Sequence, residues 1–300
     1  MSVRIGIGSI PFGDAPGPAL AELVDVCEAL RIDSIWLPDQ ASENGIDPLV
    51  GMAYAAGRTT RLKVGTGVLV LPGRNPMLVA AQLASLAALA PRRILPVFGL
   101  RSASPAERTL FPVPAGQRAA LFDEALLVVR RLLTEPSVTH HGRFFQFEGA
   151  AIAPLSARPL DLWLAGKAPA GLARVGRFGD GWLGSFVTPE EAGACRRAIE
   201  EAAAAAGREI EDDHYGTNIA VLPPGTPDAV RDIALQRAAE RRPELDPRLL
   251  VADGWAVARE RIRQFVDVGL TKFVVRPATA VGSWRGFLDG FAAELAGVQT

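Results

Sequence analysis

Residues 65–76 read "GTGVLVLPGRNP", from Gly65 to Pro76. Val68 to Leu71 have the composition of a buried strand, yet Gly65 and Gly67, just before them, weaken any strand they occupy. Glycine inside a strand marks a bulge, or a point where a ligand or another backbone comes close. The stretch ends in Asn75-Pro76, an N-cap followed by proline at the first helical position, so a helix starts there. It is not a dinucleotide fingerprint. The third glycine is absent, and the run continues as strand where a phosphate loop would open a helix. Two explanations of the glycines stand at this point: tight packing at a barrel corner, or a ligand resting against the chain.

The alternation of strand and helix extends outward in both directions. Strand patterns cover residues 3–9, 34–37, 63–71, 94–98, 161–165, 181–184, 217–222 and 272–276. Helical patterns lie between and after them, at 18–30, 48–58, 76–90, 117–133, 170–178, 189–206, 227–241, 254–268 and 283–296. "SIWL", "DLWLA" and "KFVV" are apolar on both faces, as parallel strands covered on both sides are. Thr188-Pro189 and Thr226-Pro227 repeat the cap-then-proline device, and Gly207 ends the alanine-rich helix. Strict β/α alternation of this kind predicts an α/β protein, a (β/α)8 TIM barrel, more than an open sheet. With no Pro- or Ser-rich linker, residues 1–300 are expected to form a single domain. Two connections are too long for simple barrel loops: 99–116, after the fourth strand, and 134–159, before the fifth. The second contains "VTHHGRFFQFEG", which alternates as a small hairpin does. A third irregular stretch, 241–254, precedes the penultimate helix.

Composition narrows the function. The chain has 300 residues, 49% of them hydrophobic and 22% charged, with a formal net charge of -1. Such a balance argues against nucleic-acid or membrane-surface partners, which a basic face usually serves. Cys27 and Cys195 have no partner at metal-ligand spacing and fit reduced core residues. No leader pattern follows Met1 and no apolar run approaches the ~20 residues of a membrane helix, so a cytoplasmic protein is expected. His140, His141 and His214 lack metal-ligand spacing and fit surface positions. No Gly-x-Ser-x-Gly elbow, Walker loop or zinc motif is present, so no metal is expected.

Several stretches together resemble one family. "RLKVGTGVLVLPGRNPMLVAAQLASLAALAPRRI" resembles the third strand, loop and helix of the luciferase-like flavin and deazaflavin oxidoreductases. "WLPDQ" at 36–40 is similar to their second strand end, "RFGDGWLGSFVTPEE" at 177–191 to their "GDG" strand, and "RAALFDEALLVVRRLL" with "HGRFF" to their fourth helix and hairpin. The resemblance implies a (β/α)8 barrel that binds coenzyme F420, or alternatively FMN, at the C-terminal strand ends. It implies a non-prolyl cis peptide at Gly67-Val68 with the cofactor ring resting on it, and Asp39 bordering the ring. Gly166, Lys167 and Ala168, where a strand meets a helix N-terminus, would hold the cofactor phosphate together with Ser185. Many relatives carry histidine at the position of Gln40. Glutamine donates a hydrogen bond but exchanges no proton near neutral pH, so Gln40 is expected to orient the substrate.

The fourth strand departs from the family's glycine-rich end. Its "PVFGLR" would bring Phe98 and Leu100 toward the pocket and Arg101 near the ring, unless Phe98 packs in the core and Arg101 is solvated. Gln40 and Arg101 are the candidates for polarising substrate or ring. Arg58, Arg61 and Arg74 are candidates to meet the acidic tail of F420. The activity implied is hydride transfer between F420 and an organic substrate, with an FMN-dependent monooxygenase or a non-catalytic cofactor carrier as alternatives. A small-molecule substrate is the expected partner, and a homodimer stays open.

Overall fold

The computed structural model describes residues 2–10, 12–40, 45–101 and 109–300. Its main sheet closes on itself by parallel pairing. β1 (Arg4–Gly8) pairs with β2 (Ser34–Leu37), and β2 with β3 (Lys63–Thr66). The third position is then broken by the quoted stretch. β3 pairs with β5 (Ile94–Leu95), while β4 (Leu69–Val70), beyond Gly67-Val68, pairs with β6 (Val97–Gly99). The ring continues through β9 (Trp163–Ala165), β10 (Gly181–Gly184), β11 (Tyr215–Leu222) and β13 (Lys272–Pro277), which returns to β1. Because β3 with β4, and β5 with β6, each fill one position, the ring has the eight positions of the expected barrel.

Helices α1 (Pro16–Ala29), α2 (Pro48–Arg58), α3 (Pro76–Leu89), α4 (Arg118–Thr134), α5 (Pro169–Phe178), α6 (Pro189–Ala205), α7 (Asp228–Arg241), α8 (Trp255–Asp267) and α9 (Trp284–Leu295) follow the strands. Their ends obey local chemistry. The Asn75 carboxamide accepts from the Met77 and Leu78 amides, and Thr188 with Glu191 completes a capping box. At the end of α6, Gly207 takes φ +67°, and the Arg208 and Gly207 amides return to the Ala203 and Ala204 carbonyls. That is a Schellman stop, which a left-handed glycine makes cheap. Thr226 corrects the expectation made for it. The cap of α7 is Pro227 with no side-chain bond, and the Thr226 hydroxyl turns back to the Pro223 carbonyl at 2.7 Å.

Of the two long connections, 134–159 carries a hairpin, and residues 102–108 of the other lie outside the described residues. The hairpin is β7 (Val138–His141) with β8 (Gln146–Ala150), outside the barrel sheet. Its tip is held by one carboxylate, Glu124 of α4, which accepts from the Arg143, Phe144 and Phe145 amides and approaches His140 Nε2 at 3.2 Å. The "HGRFF" and "FDEALL" motifs are therefore two halves of one contact. His140 is thus a buried residue and not a surface one, and His214, whose Nδ1 lies 2.7 Å from the Asp180 carbonyl, is half-buried against Trp163. His141 is exposed, as expected. Within 241–254, the sequence hid a strand: β12 (Val251–Asp253) extends β11 beyond the ring, with Ala220 opposite Val251.

Two hydrophobic layers line the ring, beside a small separate cluster of Leu222, Ala234, Ala238 and Leu250 under α7. The larger packs the outer faces of the strands against the helices and includes Ile5, Ile35, Leu69, Phe98, Phe273 and the buried Cys27 thiol. The smaller, Trp36, Val97, Trp163, Leu183 and Val274, fills the barrel interior. Below it, at the N-terminal end, Asp33 accepts from Lys272 Nζ at 2.6 Å and Lys63 Nζ at 2.8 Å.

Candidate active site at the barrel mouth

Side chains alternate faces along a strand, so residues two beyond the inner layer point inward at the C-terminal mouth. These are Gly99, Ala165, Ser185 and Arg276, joined by Gly8 and Gly67 from β1 and the end of β3 and by Asn218 from β11. The Asn218 carboxamide donates to Ser185 Oγ at 2.5 Å, which fixes both on the inner face. The mouth is therefore a shallow crater with an aromatic and aliphatic floor, and its rim mixes small residues with the polar Ser185, Asn218 and Arg276. Barrel enzymes work at this end.

The glycines of the quoted stretch have two different causes. A β-carbon at Gly65 would lie 2.8 Å from both the Leu95 carbonyl oxygen and Trp36 Cε3, so Gly65 exists to admit the Trp36 indole. That indole donates to Ser34 Oγ at 2.9 Å. Gly65 answers to packing. At Gly67 a β-carbon would meet only Trp36 Cβ, at an ordinary 3.5 Å, so packing against other strands does not exclude a β-carbon there. The Gly67-Val68 peptide is cis, as the resemblance implied. The Val68 side chain folds over Gly99, where a β-carbon would lie 2.5 Å from Val68 Cγ2.

Asp39 braces this turn from behind. Its carboxylate accepts from the Val70 amide at 3.1 Å and from Arg74 Nη2 at 2.9 and 3.0 Å, while Arg74 Nε donates to the Val70 carbonyl. Burial pushes the Asp39 carboxyl above its ordinary range, with Arg74 and the Val70 amide pulling against it. The side chain is only 3% exposed, so Asp39 and Arg74 hold the bulge in place instead of lining the crater with charge. Gln40 borders a small recess beside the crater with Ser9, Phe12, Leu37 and Ile46. Ser9 Oγ is buried there with no hydrogen-bond partner among the described residues.

Around the rim, the Gly166 carbonyl accepts from Trp182 Nε1 at 2.7 Å, and Gly166 itself has φ +127° with open space where a side chain would project. Lys167 and Ala168 follow, exposed, and α5 begins after Ala168 with no side chain capping its amides. Burial and the nearby Arg242 lower the Lys167 ammonium below its ordinary range. Thus Gly166, Lys167, Ala168 and Ser185 lie on adjacent strand ends, paired through Ala165 and Leu183.

Other expectations need correction. Phe98 is fully buried in the outer layer, and Leu100 packs against that layer, so neither narrows the mouth. Alternation places Val97 and Gly99 inward and Phe98 outward. Arg101 is exposed at the edge of 102–108, which lies outside the described residues. Arg58 pairs with Asp25 at 2.6 Å and Arg61 donates to the Glu28 carbonyl at 2.6 Å, both just before β3 and so at the opposite end of the barrel. Arg74 is committed to Asp39. Asp180 of the "GDG" motif is structural too: it accepts from Arg130 and Arg208 and from the Leu162 amide at the N-terminal strand ends.

Sequence reasoning missed Arg276. The available signal was a second charge in "KFVVRP", in step with Lys272 and Val274 on the inner face. No helix among the described residues is long and apolar enough to cross a membrane.

Comparison with known proteins agrees with this architecture. A stretch of 146 residues is 36% identical to an uncharacterised protein of Mycobacterium tuberculosis, covering 49% of this chain and 50% of that one. The chain therefore spans about half the length of this relative. An F420-dependent glucose-6-phosphate dehydrogenase of Intrasporangium calvum is 31% identical over 320 residues, covering 91% of this chain and 93% of its own. Among solved structures, an F420-dependent secondary alcohol dehydrogenase in complex with an F420-acetone adduct superposes with TM-score 0.84 at 19% identity, over 100% of both chains. The oxygenating constituent of 3,6-diketocamphane monooxygenase of Pseudomonas putida, in complex with FMN, superposes with TM-score 0.75 at 16% identity, over 100% of this chain and 99% of that one. These likenesses at low identity speak to the fold. The model of the luciferase-like monooxygenase family matches residues 8–293, and the chain belongs to that family.

Proposed function

We propose that the protein is an F420-dependent oxidoreductase that transfers a hydride between the deazaflavin and a small organic substrate. The observation that carries this reading is Gly67 at the barrel mouth, above Trp36, Trp163, Leu183 and Val274, where a β-carbon would meet only Trp36 Cβ at 3.5 Å, so that packing within the described chain does not account for the glycine. The likeness to F420-dependent relatives over nine-tenths of the chain favours the deazaflavin. The residues present fit such a group. Gly67 admits a β-carbon in ordinary contact with Trp36 Cβ, Ser9 Oγ is buried without a partner among the described residues, and the amides at the start of α5 are uncapped.

The bound deazaflavin would supply two-electron chemistry at its ring; the chain supplies the seat, the orientation and the dry surroundings. Gly67 and Val68 would face the ring with backbone, and Asp39 with Arg74 would keep that backbone in position. The uncapped amides near Ala168, with Gly166, Lys167 and Ser185, would hold phosphate through hydrogen bonds and the helix field. Gln40, beside the crater, would donate a hydrogen bond to a substrate oxygen and exchange no proton. Arg101, exposed at the fourth strand end, would add positive charge at the rim.

A second reading, an FMN-dependent monooxygenase, is favoured by the shared fold of the FMN-bound monooxygenase component. Calorimetric titration with F420 and with FMN separates the two. Tighter binding of F420, weakening with salt through screening of its acidic tail, supports the proposal. Equal or tighter binding of FMN rejects it. A homodimer would bury the apolar face of α2 and α3, where Val50, Leu78 and Leu89 are 64%, 63% and 76% exposed. Sedimentation of the chain as a monomer at micromolar concentration would reject that assembly.

A further inference from the structure

The last strand of the barrel ends in a guanidinium that the described chain does not neutralise. Arg276 stands two residues beyond Val274, on the inner face of β13, and a β-carbon at Gly8 would lie 3.2 Å from Arg276 Cβ. Its guanidinium carbon is 5.8 Å from the centre of the Phe186 ring, which walls one side. The charged group acting on it is Arg241, at the end of α7, and both burial and this second cation work against the charged form. Among the described residues no carboxylate pairs with it.

The neighbouring arginine makes the contrast. Arg242 is buried but saturated, with Glu191 at 2.6 Å, Glu244 at 2.5 Å and the Phe186 carbonyl as partners. The carboxylates of that corner are therefore already in use. A guanidinium does not lose its proton in a protein, and a sheltered charge next to a like charge is costly unless an anion joins it. Its planar fork matches a carboxylate or a phosphate with two parallel hydrogen bonds.

We infer that Arg276 seats an oxyanion, a carboxylate or phosphate group carried by the substrate. The inference rests on the reading of the crater as the reaction site, and it narrows the substrate to an anionic molecule. The acidic tail of the cofactor could offer the same chemistry. The seat proposed for its phosphate, however, lies at the ends of β9 and β10, whereas Arg276 ends β13, on the far side of β11.

Inorganic phosphate is the probe. Calorimetry on the full chain is expected to show saturable binding at millimolar phosphate or below, weakened roughly tenfold or more in Arg276→Gln, as loss of hydrogen bonds to a charged group implies. Arg285→Gln, on the exposed face of α9, should leave it unchanged. F420 binding should fall less in Arg276→Gln than in Ser185→Ala. Should Arg276→Gln fail to fold by circular dichroism, Arg276→Lys keeps the charge and loses the fork, and phosphate binding should still weaken.

A phosphate isotherm that is the same in the parent and in both Arg276 variants, or no phosphate binding by the parent chain, overturns the inference. So does a joint loss of F420 and phosphate binding in a folded Arg276 variant, which would assign the seat to the cofactor tail. A parent chain that binds phosphate through Arg276 but neither F420 nor FMN would reject the proposed cofactor chemistry and leave the anion seat standing.

Discussion

Substituting Gly65 by alanine tests whether the inner layer dictates the first glycine of the motif. The added methyl group would sit 2.8 Å from a backbone carbonyl oxygen of β5, 2.8 Å from Trp36 Cε3 and 3.1 Å from Leu95 Cβ. The carbonyl belongs to the ring itself, because Gly65 is paired with Leu95, so it has no cheap way to move. The indole must shift instead. Overpacking of this kind costs about 1–3 kcal/mol. Moving the indole also strains its 2.9 Å bond to Ser34, a buried bond whose loss costs about 1 kcal/mol more. The expected destabilisation is therefore about 2–4 kcal/mol, read from the midpoint of urea unfolding at unchanged slope. Gly67→Ala is the internal control: its methyl group meets only Trp36 Cβ at 3.5 Å, so stability should stay within about 0.5 kcal/mol. Trp36→Leu should rescue part of the Gly65→Ala loss, a coupling that a double-mutant cycle reads directly. A Gly65→Ala protein as stable as the parent, or no coupling to Trp36, would refute the packing argument.

Acid should expose the ion pair at the bottom of the barrel. The two ammonium groups on Asp33 hold its carboxyl down at about 2, from an ordinary 3.8. Burial pulls Lys272 the other way, but with two cations on one carboxylate the paired form wins. A lowered carboxyl stabilises the fold above its ordinary value and ceases to as pH falls through the lowered one. The gap of ~1.8 corresponds to about 2 kcal/mol, lost between roughly pH 4 and pH 2. Asp33→Asn should erase that part of the pH dependence in unfolding titrations, and an unaltered slope in the variant would count against the assignment. Ser185→Ala removes a hydroxyl from the proposed phosphate seat. Cofactor affinity should fall roughly tenfold while thermal stability of the free protein barely moves, since charged hydrogen bonds contribute ~1.5–3 kcal/mol. Unchanged affinity in calorimetry would move the phosphate elsewhere.

How legible this molecule was from its sequence depended on how local each signal is. Strand and helix positions were readable because alternation, caps and prolines act within a few residues, as Asn75-Pro76 and Thr188-Pro189 show. β12 escaped because three residues with no period form a strand only where β11 offers a free edge. The motif glycines looked equivalent in sequence, and only the position of the Trp36 indole, from a different strand, separates Gly65 from Gly67. Phe98 stayed open between pocket and core because the inward phase of a broken strand cannot be counted across the break. Arg58, Arg61 and Arg74 looked available for a ligand until their partners, Asp25, the Glu28 carbonyl and Asp39, were brought up from more than thirty residues away. Arg276 was readable in principle, as the third inward residue of "KFVVRP", but its isolation from carboxylates is a property of the assembled mouth.

The most direct test of the account is cofactor titration of Gly67→Leu. The position has room for a β-carbon within the protein, and a larger side chain there would occupy the crater where the ring is proposed to lie. The variant should keep the circular dichroism spectrum and unfolding midpoint of the parent while losing most of its F420 binding. A folded Gly67→Leu protein that binds F420 as tightly as the parent would contradict the placement of the cofactor at the barrel mouth.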